Sequence, residues 1–96
     1  MSSRTAYADF LSAVGASFCD AFADHPDFED ASPHDFQQVL LTTVANPLTP
    51  SALRAARTPD GLARISAECE RYFEVSAVSE GTIDRAIERS LGRWPE

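Results

Sequence analysis

Residues 32–48 read SPHDFQQVLLTTVANPL, and this stretch constrains the fold more than any other. Phe36, Val39, Leu40 and Val44 recur at spacings of three and four, the interval that stacks side chains on one side of an α-helix. Leu41 and Leu48 widen that side into a band too broad for one neighbour to cover. Ser32 is placed to cap the N-terminus, Pro33 suits the first helical position, and Asp35 sets negative charge where the helix dipole favours it. Pro47 is expected to end the helix, because its ring removes a donor and pushes Asn46 out of the helical region. A helix with so wide an apolar face needs partners on several flanks.

The flanking segments supply them. A first helix is predicted over residues 5–24, where Tyr7, Phe10, Leu11, Val14, Phe18 and Phe22 keep the helical period and alanines fill between them. Gly15 weakens it by roughly 1 kcal/mol relative to alanine, which points to a close helix crossing there. His25-Pro26 is read as its stop. The acidic connection that follows, residues 26–31, holds one large apolar side chain, Phe28, expected to fold back onto the core. Thr49-Pro50 and Thr58-Pro59 repeat the pairing of a cap with a proline at the first helical position. They predict a short helix over 50–57, with Leu53 and Ala56 inward. A longer one spans 59 to about 73, with Leu62, Ile65, Cys69, Tyr72 and Phe73 on one side. A single helix kinked at Pro59 satisfies the same pattern. Residues 74–78 favour β-structure, but a lone strand has no partner in this chain, so an extended linker is expected. Ser79 caps the last helix, which runs to about Leu91 with Ile83, Ala86, Ile87 and Leu91 inward and Gly92 as terminator. Trp94-Pro95 follows, its indole covering the open end of the core. The expected fold is all-α, a compact bundle of four to five short helices forming a single domain over residues 1–96.

Ninety-six residues, 44% of them apolar, suffice for a core without metals or cross-links. The longest run of large aliphatics is Val39 to Leu41, far short of a membrane span, and Asp9 lies where a signal peptide would need an apolar core. No membrane association is expected, and the cytoplasm is the default location. All eight basic residues are arginine, and the net charge is −7. Residues 1–50 carry seven acids and a single arginine, Arg4, whereas residues 51–96 carry eight acids and seven arginines. The negative charge therefore sits in the first half, and a nucleic-acid partner is not expected there.

The candidate sites follow from that asymmetry. Asp20, Asp24, Asp27, Glu29, Asp30 and Asp35 cluster along one segment with His25 and His34. Carboxylate oxygens suit a hard cation, but the EF-hand glycine and terminal glutamate are missing, and the match to zinc spacing is loose. No metal or cofactor is assigned; the plainer reading is a solvated loop whose acids favour the start of the central helix. The same surface can imitate nucleic acid and occupy a basic protein groove. Cys19 and Cys69 lie beside apolar faces and read as small core residues. A Cys–His nucleophile lacks an orienting group and an oxyanion loop, and four scattered glycines make no phosphate loop. Arg85, Arg89 and Arg93 form a stripe on the last helix, with Glu80, Asp84 and Glu88 on the adjacent stripe placed to neutralise it locally.

Laid end to end, these pieces resemble a family of short, all-helical actinobacterial proteins of unknown function. The similarity runs through His25-Pro26, the acidic turn, Pro33 and Asp35 opening the Val39-Leu40-Leu41 helix, and Leu48-Thr49. It ends on Ser79 capping a helix with Ile83, Arg85 and Leu91, then Trp94-Pro95. It covers about three quarters of the chain. Where that family would end Gly-Trp-Pro, this chain has Gly92-Arg93-Trp94-Pro95, one residue out of step. The resemblance implies a helical fold and no catalytic residue. A weaker one is to leader-peptide domains associated with nitrogen fixation and peptide natural products. Phe10-Leu11, the run from Ala56 to Leu62 and Tyr72-Phe73 are similar to pieces of that pattern, but here a whole helix intervenes and a Gly-Gly cleavage site is missing.

The sequence thus leads to a small cytoplasmic, non-enzymatic module that binds another protein, with a homodimer as a further expectation. The candidate surfaces are Asp24, Asp27, Glu29 and Asp30 on the acidic loop, and Arg85, Arg89 and Arg93 with Trp94. An acidic inhibitor that imitates nucleic acid is the alternative, and a small metal- or ligand-binding protein the third.

Overall fold

Four of the five helices begin at a hydroxyl side chain that receives an amide of the first turn, the group a helix start otherwise leaves unpaired. A computed structural model describes residues 3–94 of the chain, and within them the structure is all-helical with no strand. Helix α1 spans Ser3–Ala21, and a short 3-10 turn, Pro26–Phe28, leads to α2, Pro33–Thr43. Helices α3 (Pro50–Ala55), α4 (Pro59–Phe73) and α5 (Glu80–Gly92) complete the bundle. Ser32 and Asp35 close a capping box at α2: the Ser32 hydroxyl accepts from the Asp35 N–H, and the Asp35 carboxylate accepts from the Ser32 N–H at 2.9 Å. Thr49, Thr58 and Ser79 cap α3, α4 and α5 in the same way, accepting from the amides of Ala52, Gly61 and Thr82. The segment 50–73 is therefore two helices rather than one kinked at Pro59.

Helix α1 packs against α5 and α2, α2 against α4, and α5 against both α3 and α4. The radius of gyration is 12.4 Å, what a compact domain of this length has. Phe36, Val39 and Leu40 lie at the centre, at most 1% exposed. Phe36 stacks on Phe22 (5.6 Å between centroids, 8° between planes) and meets Phe18, Phe28 and Phe73 at 5.6, 5.9 and 5.2 Å. Phe28 folds back as expected and is buried. At Gly15 the α1–α2 crossing is close: a Cβ there would fall 2.7 Å from the Pro33 carbonyl oxygen. Gln37 of α2 ties the same pair of helices by donating to the Leu11 carbonyl at 3.0 Å.

Several ends differ from the sequence reading. Helix α1 stops at Ala21 rather than Asp24, ahead of His25-Pro26, because the chain turns early to bury Phe22 and Phe28. Helix α2 stops at Thr43, four residues before Pro47, with Val44 as its C-cap. The turn lets Leu48 enter the core, fully buried, with its N–H donating to the Tyr7 hydroxyl at 3.1 Å. Val44 consequently sits half-buried at the rim and not in the central stripe. Tyr72 is 38% exposed rather than inward-facing, because its hydroxyl donates to Asp35 at 3.0 Å. Gly92 closes α5 as a helical residue, and Arg93, with right-handed backbone angles, is the cap.

The connection 74–79 is extended only in part. Glu74 and Ala77 both take left-handed backbone angles (φ 56° and 59°). They swing Val78 inward, where its carbonyl accepts from the buried Ser66 hydroxyl (2.8 Å) and its N–H donates to Glu70 (3.1 Å). Pro95 lies outside the described residues.

Candidate functional site

The acidic loop is held at both ends by aromatic burial and between them by short backbone turns. The His25 N–H donates to the Phe22 carbonyl, the Phe28 N–H to His25, and the Ala31 N–H to Phe28, all within 3.1 Å. Phe28 seats on Phe22 at 4.6 Å and on Phe73 at 4.9 Å. His25 caps the 3-10 turn, its Nδ1 accepting from the Asp27 N–H at 3.2 Å. With Phe28 anchored, the acidic side chains on either side are left at the surface. Asp24, Asp27, Glu29 and Asp30 are all exposed. Among the described residues none of the four pairs with an arginine; His25 Nδ1 lies 4.0 Å from the Asp27 carboxylate.

Asp35, the acid that follows, belongs to the structure of α2. The Ser32 amide that donates to it holds its carboxyl below the usual carboxylate range, aided by the Tyr72 and Ser32 hydroxyls and the charge of His34 and opposed by its partial burial. Among the described residues no three acids, histidines or cysteines converge in a way that would hold a metal ion. Cys19 and Cys69 are free thiols. Burial, with Glu68 and Glu70 nearby, pushes the Cys69 thiol up to about 12. Burial raises Cys19 as well, with Asp20 and Asp35 adding to it.

The arginine stripe is divided between two surroundings. Arg89 and Arg93 turn toward α1, where the Asp20 carboxylate lies 3.9 and 3.5 Å away. Arg85 donates to Thr82 at 3.1 Å. Among the described residues Asp84 and Glu88 do not pair with the stripe as expected, because Arg57 engages both, and Glu80 forms no ion pair with it. Arg57, at the junction of α3 and α4, donates to Asp84 at 2.8 and 3.3 Å and to Glu88 at 3.2 Å. That bidentate contact holds the Asp84 carboxyl low and raises the Arg57 guanidinium. Asp20 and Arg57 as arginine-stripe determinants were not apparent from sequence, since each pairs with residues more than twenty positions away.

Three more of the residues singled out by sequence, Asp24, His25 and Arg85, come together. Asp24 and His25 from the loop and Thr82 and Arg85 from α5 line one depression of about 290 Å³, floored by Ala21 and Phe22. Trp94 lies apart, at the C-terminal end of α5. Its indole meets Phe10 edge to face at 5.9 Å, so it does cover the end of the core. It also walls an apolar hollow of about 220 Å³ with Tyr7, Leu48 and Pro50. No helix among the described residues is long and apolar enough to cross a membrane.

Comparison with protein-family models, with curated proteins and with solved structures finds no match to this chain. Its class is set by its own geometry: a five-helix bundle carrying an acidic loop whose four exposed carboxylates pair with no arginine among the described residues.

Proposed function

We propose that this chain is a small non-enzymatic protein-interaction module that docks a partner with a basic surface through Asp24, Asp27, Glu29 and Asp30. One observation carries the reading: four exposed carboxylates share a single anchored loop, and no arginine among the described residues pairs with any of them. Three of the bundle's arginines, Arg57, Arg89 and Arg93, are used elsewhere, at Asp20, Asp84 and Glu88. Fixed like charges raise the local potential and speed encounter with an opposite surface. The arginine stripe then supports the scaffold, except for Arg85, which borders the loop. Membership of the short actinobacterial helical family belongs to the same reading and adds no catalytic residue to it. A homodimer would use the apolar hollow beside Trp94, because two copies of the acidic loop repel each other.

The test is affinity capture from host lysate with the native chain and with D27N/E29Q/D30N, at low and high salt. A partner retained by the native chain, lost with the variant and released by salt supports the assignment. Equal capture by both removes the loop from consideration. Displacement of the partner by duplex DNA assigns the loop to nucleic-acid imitation instead. Light scattering after size exclusion reads self-association independently.

A further inference from the structure

We propose that His25 is a proton-sensitive latch on the acidic loop. When neutral, its Nδ1 caps the 3-10 turn at the Asp27 amide. When protonated, it releases that amide and turns to the Asp27 carboxylate.

The geometry supplies both positions. An imidazole nitrogen that accepts from a backbone N–H carries no proton, so the 3.2 Å bond from the Asp27 N–H to Nδ1 places the neutral ring's hydrogen on Nε2. A proton added at Nδ1 sets two donors against each other, and the cap is lost. The Asp27 Oδ2 already lies 4.0 Å from the same nitrogen, close enough for a small ring movement to replace an accepted hydrogen bond with a donated one. The ring is not free to swing anywhere, because it packs edge-on against Phe28 at 5.0 Å and Phe22 at 6.5 Å. Asp24 and Asp27 come from its own loop, Arg85 is the opposing cation from α5, and Thr82 is the neutral neighbour. The turn that the latch holds also carries Asp27 and seats Phe28, so releasing it re-aims the start of the acidic loop. Histidine is the side chain whose charge ordinarily changes between pH 5 and 8, while the carboxylates stay ionised over most of that interval.

The experiment is an NMR titration of the full chain from pH 8 to 5.5. Ring nitrogen shifts should show His25 as the Nε2–H tautomer at pH 8. The Asp27 amide should move with the His25 titration, and its protection against exchange, corrected for the intrinsic slowing of exchange with falling pH, should drop about five-fold at the acid end, the factor expected for losing one capping hydrogen bond. His25→Asn supplies a side-chain oxygen that caps at every pH, so in that variant the loop keeps its form and the Asp27 amide stops responding. His34, which accepts no such bond in the structure, serves as the internal control. A neutral His25 protonated at Nδ1 overturns the latch, as does an Asp27 amide unmoved by the titration or equally responsive in the H25N variant. The latch requires no partner, so its failure would leave the docking reading standing, and failed docking would leave the latch.

Discussion

Replacing Gly15 with alanine should destabilise the protein, against the usual direction for glycine in a helix. In an unobstructed helix interior alanine gains about 1 kcal/mol over glycine. Here the new Cβ would lie 2.7 Å from the Pro33 carbonyl oxygen and 2.8 Å from the Pro33 Cβ, distances that atoms at rest do not adopt. Pro33 cannot yield by a side-chain rotation, since its ring is closed and its backbone opens α2 inside the Ser32–Asp35 capping box. The two helices must separate instead, and overpacking of that kind costs about 1–3 kcal/mol. After the helix-propensity gain is subtracted, a loss of up to about 2 kcal/mol remains. Each kcal/mol corresponds to a midpoint shift of about 4–8 °C for a domain of this size. Gly92 supplies the matched control: a Cβ there meets nothing within 4 Å, so Gly92→Ala should be neutral or gain up to about 1 kcal/mol. Thermal and urea unfolding of the native chain, G15A and G92A, followed by circular dichroism, reads the difference. A G15A protein more stable than the native chain would refute the close crossing.

Asp35→Ala removes the carboxylate that accepts from the Ser32 amide and the Tyr72 hydroxyl, and a urea series at pH 7 should show a loss of about 1 kcal/mol. Because the folded carboxyl is held low, its contribution is present above the unfolded value and disappears as pH falls through the folded one. The gap between native and D35A proteins should therefore close on acidification below pH 4. Ser17→Ala should be neutral or stabilising by about 1 kcal/mol, since its hydroxyl is fully buried and has no hydrogen-bond partner among the described residues; a clear loss in thermal unfolding would contradict this. Thiol labelling at pH 8 should modify half-buried Cys19 slowly and leave Cys69, held up to about 12, untouched until the chain unfolds.

Helix starts were legible in the sequence because a start is a local event. Ser32-Pro33, Thr49-Pro50, Thr58-Pro59 and Ser79 each carry the acceptor and the backbone preference within a few residues. Helix ends were not, because they are decided by where distant side chains must go. Leu48 enters a pocket completed by Tyr7, forty-one positions away, and α2 stops four residues short of Pro47 to let it in. The acidic loop was legible as charge, and Phe28 as its anchor. Which arginines would leave it unpaired was not, since Asp20 and Arg57 find their partners only after α5 has docked. Tyr72 fits the helical period of the core face, yet one hydrogen bond to Asp35 keeps its hydroxyl at the surface.

The pairing of α1 with α5 bears on how the molecule is made. During synthesis α1 leaves the ribosome before α5, against which it packs, so Phe10 at first lacks the Trp94 ring that it finally meets. Docking of the two must follow emergence of α5, so the bundle cannot close before that helix is made. A nascent chain halted before residue 80 would hold an aromatic face open to chaperones.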